Sequence, residues 1–224
     1  MLRAIIFDFD GVIADTEPHH YQAFAEVLDG RLTMPTWETY LSEYLGLNDP
    51  TFLRRFFEAS GDQPDERELA SLIRRKDEVY QRNLVDGIPL LPGVEAFVRS
   101  MRGRYPLAIC SGARRVEIET ILRHAGLRDA FEHIVSADEV TRSKPDPAGF
   151  LKAFELLRAG RDGLTPSACL AIEDSAHGIV AAKAAGMRVI QVCPHSIGEF
   201  AVPADRKVKG VTEVSEMLLA EIMT

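Results

Sequence analysis

The sequence is poor in cysteine, has a single tryptophan and contains no long apolar run. Its three cysteines, Cys110, Cys169 and Cys193, cannot all pair within one chain. Each sits in an apolar stretch (LAIC, CLAI, VIQVC), so buried, reduced thiols and a reducing, cytoplasmic setting are expected. No apolar window approaches the roughly 20 residues that a membrane-spanning helix needs, and Asp8 interrupts the first apolar run too early for a secretory leader pattern. Positive charge is in deficit: 26 Lys/Arg stand against 34 Asp/Glu, a net of −8. That balance argues against a nucleic-acid partner, and a small anionic ligand would need cations placed locally. Internal repeats and low-complexity tracts are also missing.

What is present suits a soluble enzyme-sized fold. The chain is 224 residues long, 46% hydrophobic and 27% charged, enough for one ordinary domain with an insertion or for two small domains. The acid is unevenly spread. Residues 15–86 carry 8 Lys/Arg against 15 Asp/Glu, whereas the remainder carries 18 against 19.

Five short apolar runs predict buried strands: Ala4–Phe9, Leu107–Cys110, His133–Ser136, Leu170–Ile172 and Val189–Val192. Helical patterns lie between the later ones. Val116, Ile121, Leu122 and Ala125 form one stripe ending at Gly126; Phe150, Leu151, Phe154 and Leu157 form another, opened by Pro147; an alanine-rich third runs from Ala176 to Ala185 and stops at Gly186. Alternating strand and helix with strands this apolar predicts an α/β, doubly wound parallel sheet covered on both faces. The stretch between the first two strands is too long for one crossover and holds helical segments at Pro18–Leu28, Phe52–Ala59 and Asp65–Leu84. We therefore expect a core of residues 1–14 and 88–224 and an inserted helical cap of 15–87, with Pro89, Pro92 and Gly93 marking the return and Pro92 at the first position of a helix.

Polar residues collect where those strands end. Asp8 and Asp10 follow the first, Ser111 and Gly112 the second, Glu173 and Asp174 the fourth, and Lys144 lies in the loop SKPDP. In open α/β sheets such ends converge on one edge, where sites form. Several carboxylates crowded there are tolerable if a divalent cation neutralises them, and an all-oxygen donor set suits Mg2+. Ser111, the amides of the following turn and Lys144 suit a phosphate. One leading aspartate can then act as nucleophile and the other as proton shuttle, the arrangement phosphoryl transfer calls for.

The stretches FDFDGVIADTE, ICSGA, SKPDP and IEDSAHGIVAAKAAGM, in this order over nearly the whole chain, resemble the haloacid dehalogenase superfamily. The similarity is to the branch with a helical cap after the first motif, which includes beta-phosphoglucomutase and sugar-phosphate phosphatases. The resemblance implies Asp8 as nucleophile and Asp10 as general acid/base. It implies a Mg2+ site from Asp8, the Asp10 carbonyl and Asp174 with Glu173 beside them, and phosphate binding by Ser111, Gly112 and Lys144. It also sets Thr16 and His20 among cap and hinge contacts.

A calcium loop does not fit, because Gly11 follows the second acid after a strand. His19 and His20 have no zinc-ligand spacing. Lys76 lies on the stripe Leu69, Leu72, Ile73, Lys76, Tyr80 and is expected either to snorkel outward or to meet an anionic substrate. Arg114 and Arg115, at the helix start beside Ser111, are expected to be solvated, with contact of one of them to substrate as the lesser alternative. Mutases of this branch carry Gly-x-Ser-Arg in the cap, where this chain has Gly46-Leu47-Asn48-Asp49; a carboxylate there would repel a second phosphate, with Arg54 or Arg55, one turn on, as the residues that could substitute for the arginine. The expected activity is thus a Mg2+-dependent phosphatase on a small phosphorylated metabolite, with a sugar-phosphate mutase as the alternative. A dehalogenase needs neither the metal nor the second acid, and a phospho-receiver module gains nothing from a cap. No membrane partner and a monomer are expected.

Overall fold

The computed structural model describes residues 1–45, 47–84, 87–193 and 202–223. Gly46 of the cap tetrapeptide lies outside the described residues. The chain begins with strand β1 (Ala4–Phe7), passes through helices α1 (Glu17–Leu28), α2 (Trp37–Glu43), α3 (Asp49–Ala59) and α4 (Glu66–Leu84), and continues with α5 (Val94–Met101). Then follow β2 (Leu107–Cys110), α6 (Arg115–His124), β3 (His133–Val135), α7 (Ala148–Arg158), β4 (Cys169–Glu173), α8 (Ala176–Ala184), β5 (Arg188–Val192), β6 (Arg206–Val208) and α9 (Glu216–Ile222). Two compact units result, one of Met1–Asp15 with Pro89–Thr224 and one of Thr16–Ile88.

The larger unit is an α/β core. Its six strands are all parallel in the order β3-β2-β1-β4-β5-β6. β1 and β4 are buried along their whole length, as the apolar runs require of strands covered on both faces. Ala4, Ile6, Ala108, Cys110 and Ala171 pack on one face with Phe150, Phe154 and Leu157 of α7 and Ile179 and Ala182 of α8. On the other, Phe7 meets Phe97 of α5 and Phe131 edge-on. Fully burying a side chain of this kind stabilises by about 1.5–3 kcal/mol.

Four expectations change. Val116 and Leu151 are exposed; α6 turns Glu117, Ile118, Ile121 and Leu122 inward instead. Pro92 is not a first helical residue, because a turn from Leu91 to Val94 intervenes and Gly93, at φ 78°, caps α5. Cys193 is only half-buried, although Cys110 and Cys169 are buried. β6 was not expected: its first two residues, Arg206 and Lys207, are exposed and polar, and its pairing with β5 runs through the backbone.

The smaller unit is helical. Its interior is aromatic, with Phe24, Tyr40, Tyr44, Phe52 and Phe56 in successive ring contacts. Thr36 caps α2 and Asn48 caps α3 through side-chain oxygens, each satisfying an otherwise orphaned amide. Lys76 does not snorkel. It is 2% exposed, and its Nζ donates to Asp49 Oδ2 at 2.9 Å and lies 2.8 Å from His20 Nδ1. His20 stacks on Tyr80. Burial, then the Lys76 charge, holds His20 well below the ordinary imidazole value, so the ring stays neutral and its Nδ1 accepts a hydrogen bond from the Lys76 ammonium. Asp49 occupies the first turn of α3, where the helix dipole favours an anion. No helix among the described residues is long and apolar enough to cross a membrane.

Candidate active site

The strand register sets Asp8 immediately after β1, with its amide bonded to Ile172 of β4. Glu173 ends β4 and Asp174 follows it. One carboxylate oxygen from each of Asp8, Glu173 and Asp174 lies within 4.8 Å of the others. Gly11 makes this approach possible. It adopts φ +71°, and a β-carbon there would collide with the Asp174 carboxylate, so glycine is required on both counts. Gly11 also closes a turn in which Phe9 accepts from Ile13 and Ala14.

Lys144 is the cation among these acids. Its Nζ donates to Asp8 Oδ1 at 2.6 Å and to Glu173 Oε1. Glu173 is fully buried, and its second oxygen accepts from the amides of Asp174 and Ser175 and from the Ser175 hydroxyl. Both Glu173 oxygens are therefore engaged in orienting Lys144 and the start of α8. Ser175 itself caps α8 by accepting from Gly178.

One lysine does not balance this much acid. Burial pushes the Asp8 carboxyl up to about 8, with Lys144 opposing and Glu173 and Asp10 reinforcing the rise. Burial, then Asp8 and Glu173, also holds Asp174 well above the ordinary value. Burial alone would lower Lys144, but Asp8 and Glu173 outweigh it and keep the ammonium charged. A buried all-oxygen cluster that resists ionisation fits a hard dication such as Mg2+. The Asp10 carboxylate is not in the three-acid group.

Asp10 faces the next strand end instead. The Ser111 hydroxyl lies 3.5 Å from Asp10 Oδ2 and accepts the Ala113 amide at 3.0 Å. The supply of spare amides at α6 is narrower than expected. Those of Ala113, Arg114 and Arg115 go to Ser111, Glu117 and Asp138. Gly112 is the turn residue not so engaged among the described residues.

Arg114 and Arg115 are not simply solvated. Arg114 Nε donates to Glu117 Oε1 at 2.9 Å, and Arg115 bonds Glu119, Glu139 and the Ile134 carbonyl. Glu117 was missed by sequence reasoning. It is 8% exposed and sits within electrostatic reach of Asp10; burial raises its carboxyl despite Arg114. The core thus brings together Asp8, Asp10, Ser111, Lys144, Glu173 and Asp174. The helical unit separately joins His20 and Lys76, and buries Thr16 at the start of α1.

Comparison with known proteins agrees with this architecture. Residues 2–186 match the family model "haloacid dehalogenase-like hydrolase". Fructose-1-phosphate phosphatase YqaB of Escherichia coli is 38% identical over 84% of this chain and 95% of its own length. Beta-phosphoglucomutase of Bacillus subtilis is 29% identical over 98% and 95%. A variant of CbbY from Rhodobacter sphaeroides, solved in complex with xylulose-(1,5)bisphosphate, is 28% identical and superposes with a TM-score of 0.78 over 95% of this chain and 96% of its own. The chain belongs to the haloacid dehalogenase-like hydrolases, as an enzyme of the branch that holds both phosphatases and beta-phosphoglucomutase.

Proposed function

We propose that the chain is a Mg2+-dependent phosphatase that hydrolyses a small sugar phosphate through a phosphorylated Asp8. The observation that carries this reading is the Asp8–Lys144–Glu173–Asp174 cluster with Asp10 and Ser111 beside it. Asp8 and Asp174, with the Asp10 carbonyl, would hold the metal; Glu173 serves by fixing Lys144. When bound, Mg2+ offsets the acids and stabilises charge on the phosphoryl oxygens.

In the first half-reaction an Asp8 oxygen bonds to phosphorus while the ester P–O bond breaks. Asp10 gives its proton to the leaving alkoxide, and the product alcohol departs. Water then attacks the same phosphorus, Asp10 takes one of its protons, and the bond to Asp8 breaks to release inorganic phosphate. Lys144 and Ser111 hold the transferring oxygens throughout. Three unpaired cysteines support a reducing, cytoplasmic setting, and we take the working species to be a monomer.

The cap supports hydrolysis over mutation. Asp49 stands where mutases of this branch carry an arginine, and it is bound to Lys76; of the two arginines one turn on, Arg54 is paired with Glu66, which leaves Arg55 as the cation through which the mutase alternative survives. Thr16, His20 and Lys76 remain our candidates for shaping the response of the cap to substrate, with Lys76 acting through its buried network. The test is a coupled assay on fructose 1-phosphate and beta-glucose 1-phosphate with and without Mg2+. Metal-dependent release of inorganic phosphate is expected. Conversion of beta-glucose 1-phosphate to glucose 6-phosphate without release would replace this reading by the mutase.

A further inference from the structure

The loops that follow β2 and β3 in the core carry four cations among the described residues 111–115 and 137–146, and each is paired. Arg114 is bound to Glu117, Arg115 to Glu139, Arg142 to Asp146, and Lys144 to Asp8 and Glu173. Only Lys144 lies among the acids of the reaction centre. Beside it the site presents five carboxylates, those of Asp8, Asp10, Glu117, Glu173 and Asp174. Bringing one dianionic phosphate into such a place demands the metal and Lys144. A second dianion would find no cation in these loops that is not already committed.

Glu117 is the deciding residue. It is the third residue of α6, the helix entered after Ser111; it is nearly buried, and it is close enough to Asp10 to influence it. Its Oε1 takes the Arg114 Nε at 2.9 Å and its Oε2 takes the Arg114 amide at 3.3 Å. Thus a guanidinium suited to grip phosphate in two-pronged fashion is offered a fixed internal carboxylate instead. The pair opens α6 directly after the turn in which the Ser111 hydroxyl accepts the Ala113 amide and lies 3.5 Å from Asp10 Oδ2.

We propose that Glu117 is a specificity-determining, positioning residue: by holding Arg114 it sets the site for monophosphate esters with a neutral, hydroxylated remainder and against bisphosphates. This rests on the phosphatase reading above and adds the substrate class. Specificity here is a penalty imposed on the wrong ligand rather than an added attraction for the right one.

The test compares fructose 1-phosphate with fructose 1,6-bisphosphate on the unaltered protein and on Glu117→Gln. Glutamine can still accept the Arg114 amide and keep the start of α6, but it no longer neutralises the guanidinium. In the unaltered protein kcat/KM should favour the monophosphate by at least about tenfold, the size of one charge-assisted contact. In E117Q the bisphosphate-to-monophosphate ratio of kcat/KM should rise about tenfold, through the KM of the bisphosphate. Replacing Arg114 as well (Arg114→Ala with Glu117→Gln) should return the ratio toward the parent value. A ratio that stays within about twofold in E117Q, or rises only because the monophosphate suffers, overturns the proposal.

Should E117Q fail to fold, competition on the unaltered protein decides. Fructose 1,6-bisphosphate should inhibit monophosphate hydrolysis with a Ki at least about tenfold above the monophosphate KM, and a Ki at or below that KM overturns the assignment. Release of phosphate from both esters with equal efficiency defeats this inference alone. No release from any ester defeats the phosphatase reading and this inference with it.

Discussion

Gly178 of α8 packs against Glu173 so closely that a β-carbon at position 178 would overlap the Glu173 carboxylate. The helix therefore acts as a backstop that presses the acid toward Lys144. Gly178→Ala should displace Glu173, loosen Lys144 and lower kcat by about 10²-fold, as expected for a small misplacement near the reaction centre. Overpacking should cost about 1–3 kcal/mol of stability as well. Steady-state kinetics with thermal melts would decide, and a variant with parental kcat would show that Glu173 does not need this support.

Asp8→Asn should abolish turnover, since an amide cannot serve as the nucleophile. It should also change the pH dependence of stability in protein stripped of divalent cations. Asp8 titrates near 8 when folded, against an ordinary value of 3.8. The folded state holds that proton more tightly, so the contribution to stability is complete below about pH 4 and is lost as pH rises toward about 8. The variant has no such proton to lose. Its melting temperature relative to the parent should climb across that window, and a flat difference would contradict the burial argument.

Asp10→Asn should leave the three-acid group of Asp8, Glu173 and Asp174 in place and slow kcat by about 10²–10⁴-fold, the usual worth of general acid–base catalysis. Rapid quench should show both formation and hydrolysis of the phospho-enzyme slowed. Parental rates would remove Asp10 from the mechanism.

In the cap, His20 is held neutral between Tyr80 and Lys76, with its folded value well below 6.5. The unfolded chain binds a proton as pH drops through about 6.5 while the folded ring refuses it, so stability is present above that pH and falls away below it. His20→Asn can keep an acceptor for Lys76 without a titrating ring. Its melting temperature should be less sensitive to pH between about 6.5 and 5 than that of the parent; equal slopes would mean that His20 is not the group involved.

How much of this was legible depended on whether the partner of a residue lay nearby in sequence. Apolar runs such as Ala4–Phe7 and Leu107–Cys110 announce buried parallel strands by composition, and the polar residues after them follow from sheet topology. β6 was hidden because Arg206 and Lys207 look like surface residues and only backbone pairing makes them a strand. Lys76 was left open between snorkelling and facing an anion because its partner, Asp49, lies 27 residues earlier, so nothing local distinguishes an inward lysine from a snorkelling one. Glu117 escaped because the α6 stripe was read with Val116 inward. The observed phase puts Glu117, Ile118, Ile121 and Leu122 on the buried face.

The position of β1 has a consequence for how the molecule is made. It precedes the other five strands of its sheet in the chain, yet it lies in the middle of that sheet, with β2 on one side and β4 on the other. Leu107 and Cys169 begin those neighbours, so the nascent strand waits for over a hundred and fifty residues of synthesis before both its edges are closed. At ordinary elongation rates that is on the order of ten to thirty seconds. During that time Ile5, Ile6 and Phe7 are apolar surface that the ribosome or a chaperone must shelter, and Asp8, directly after them, gains its Ile172 partner only once β4 has been made.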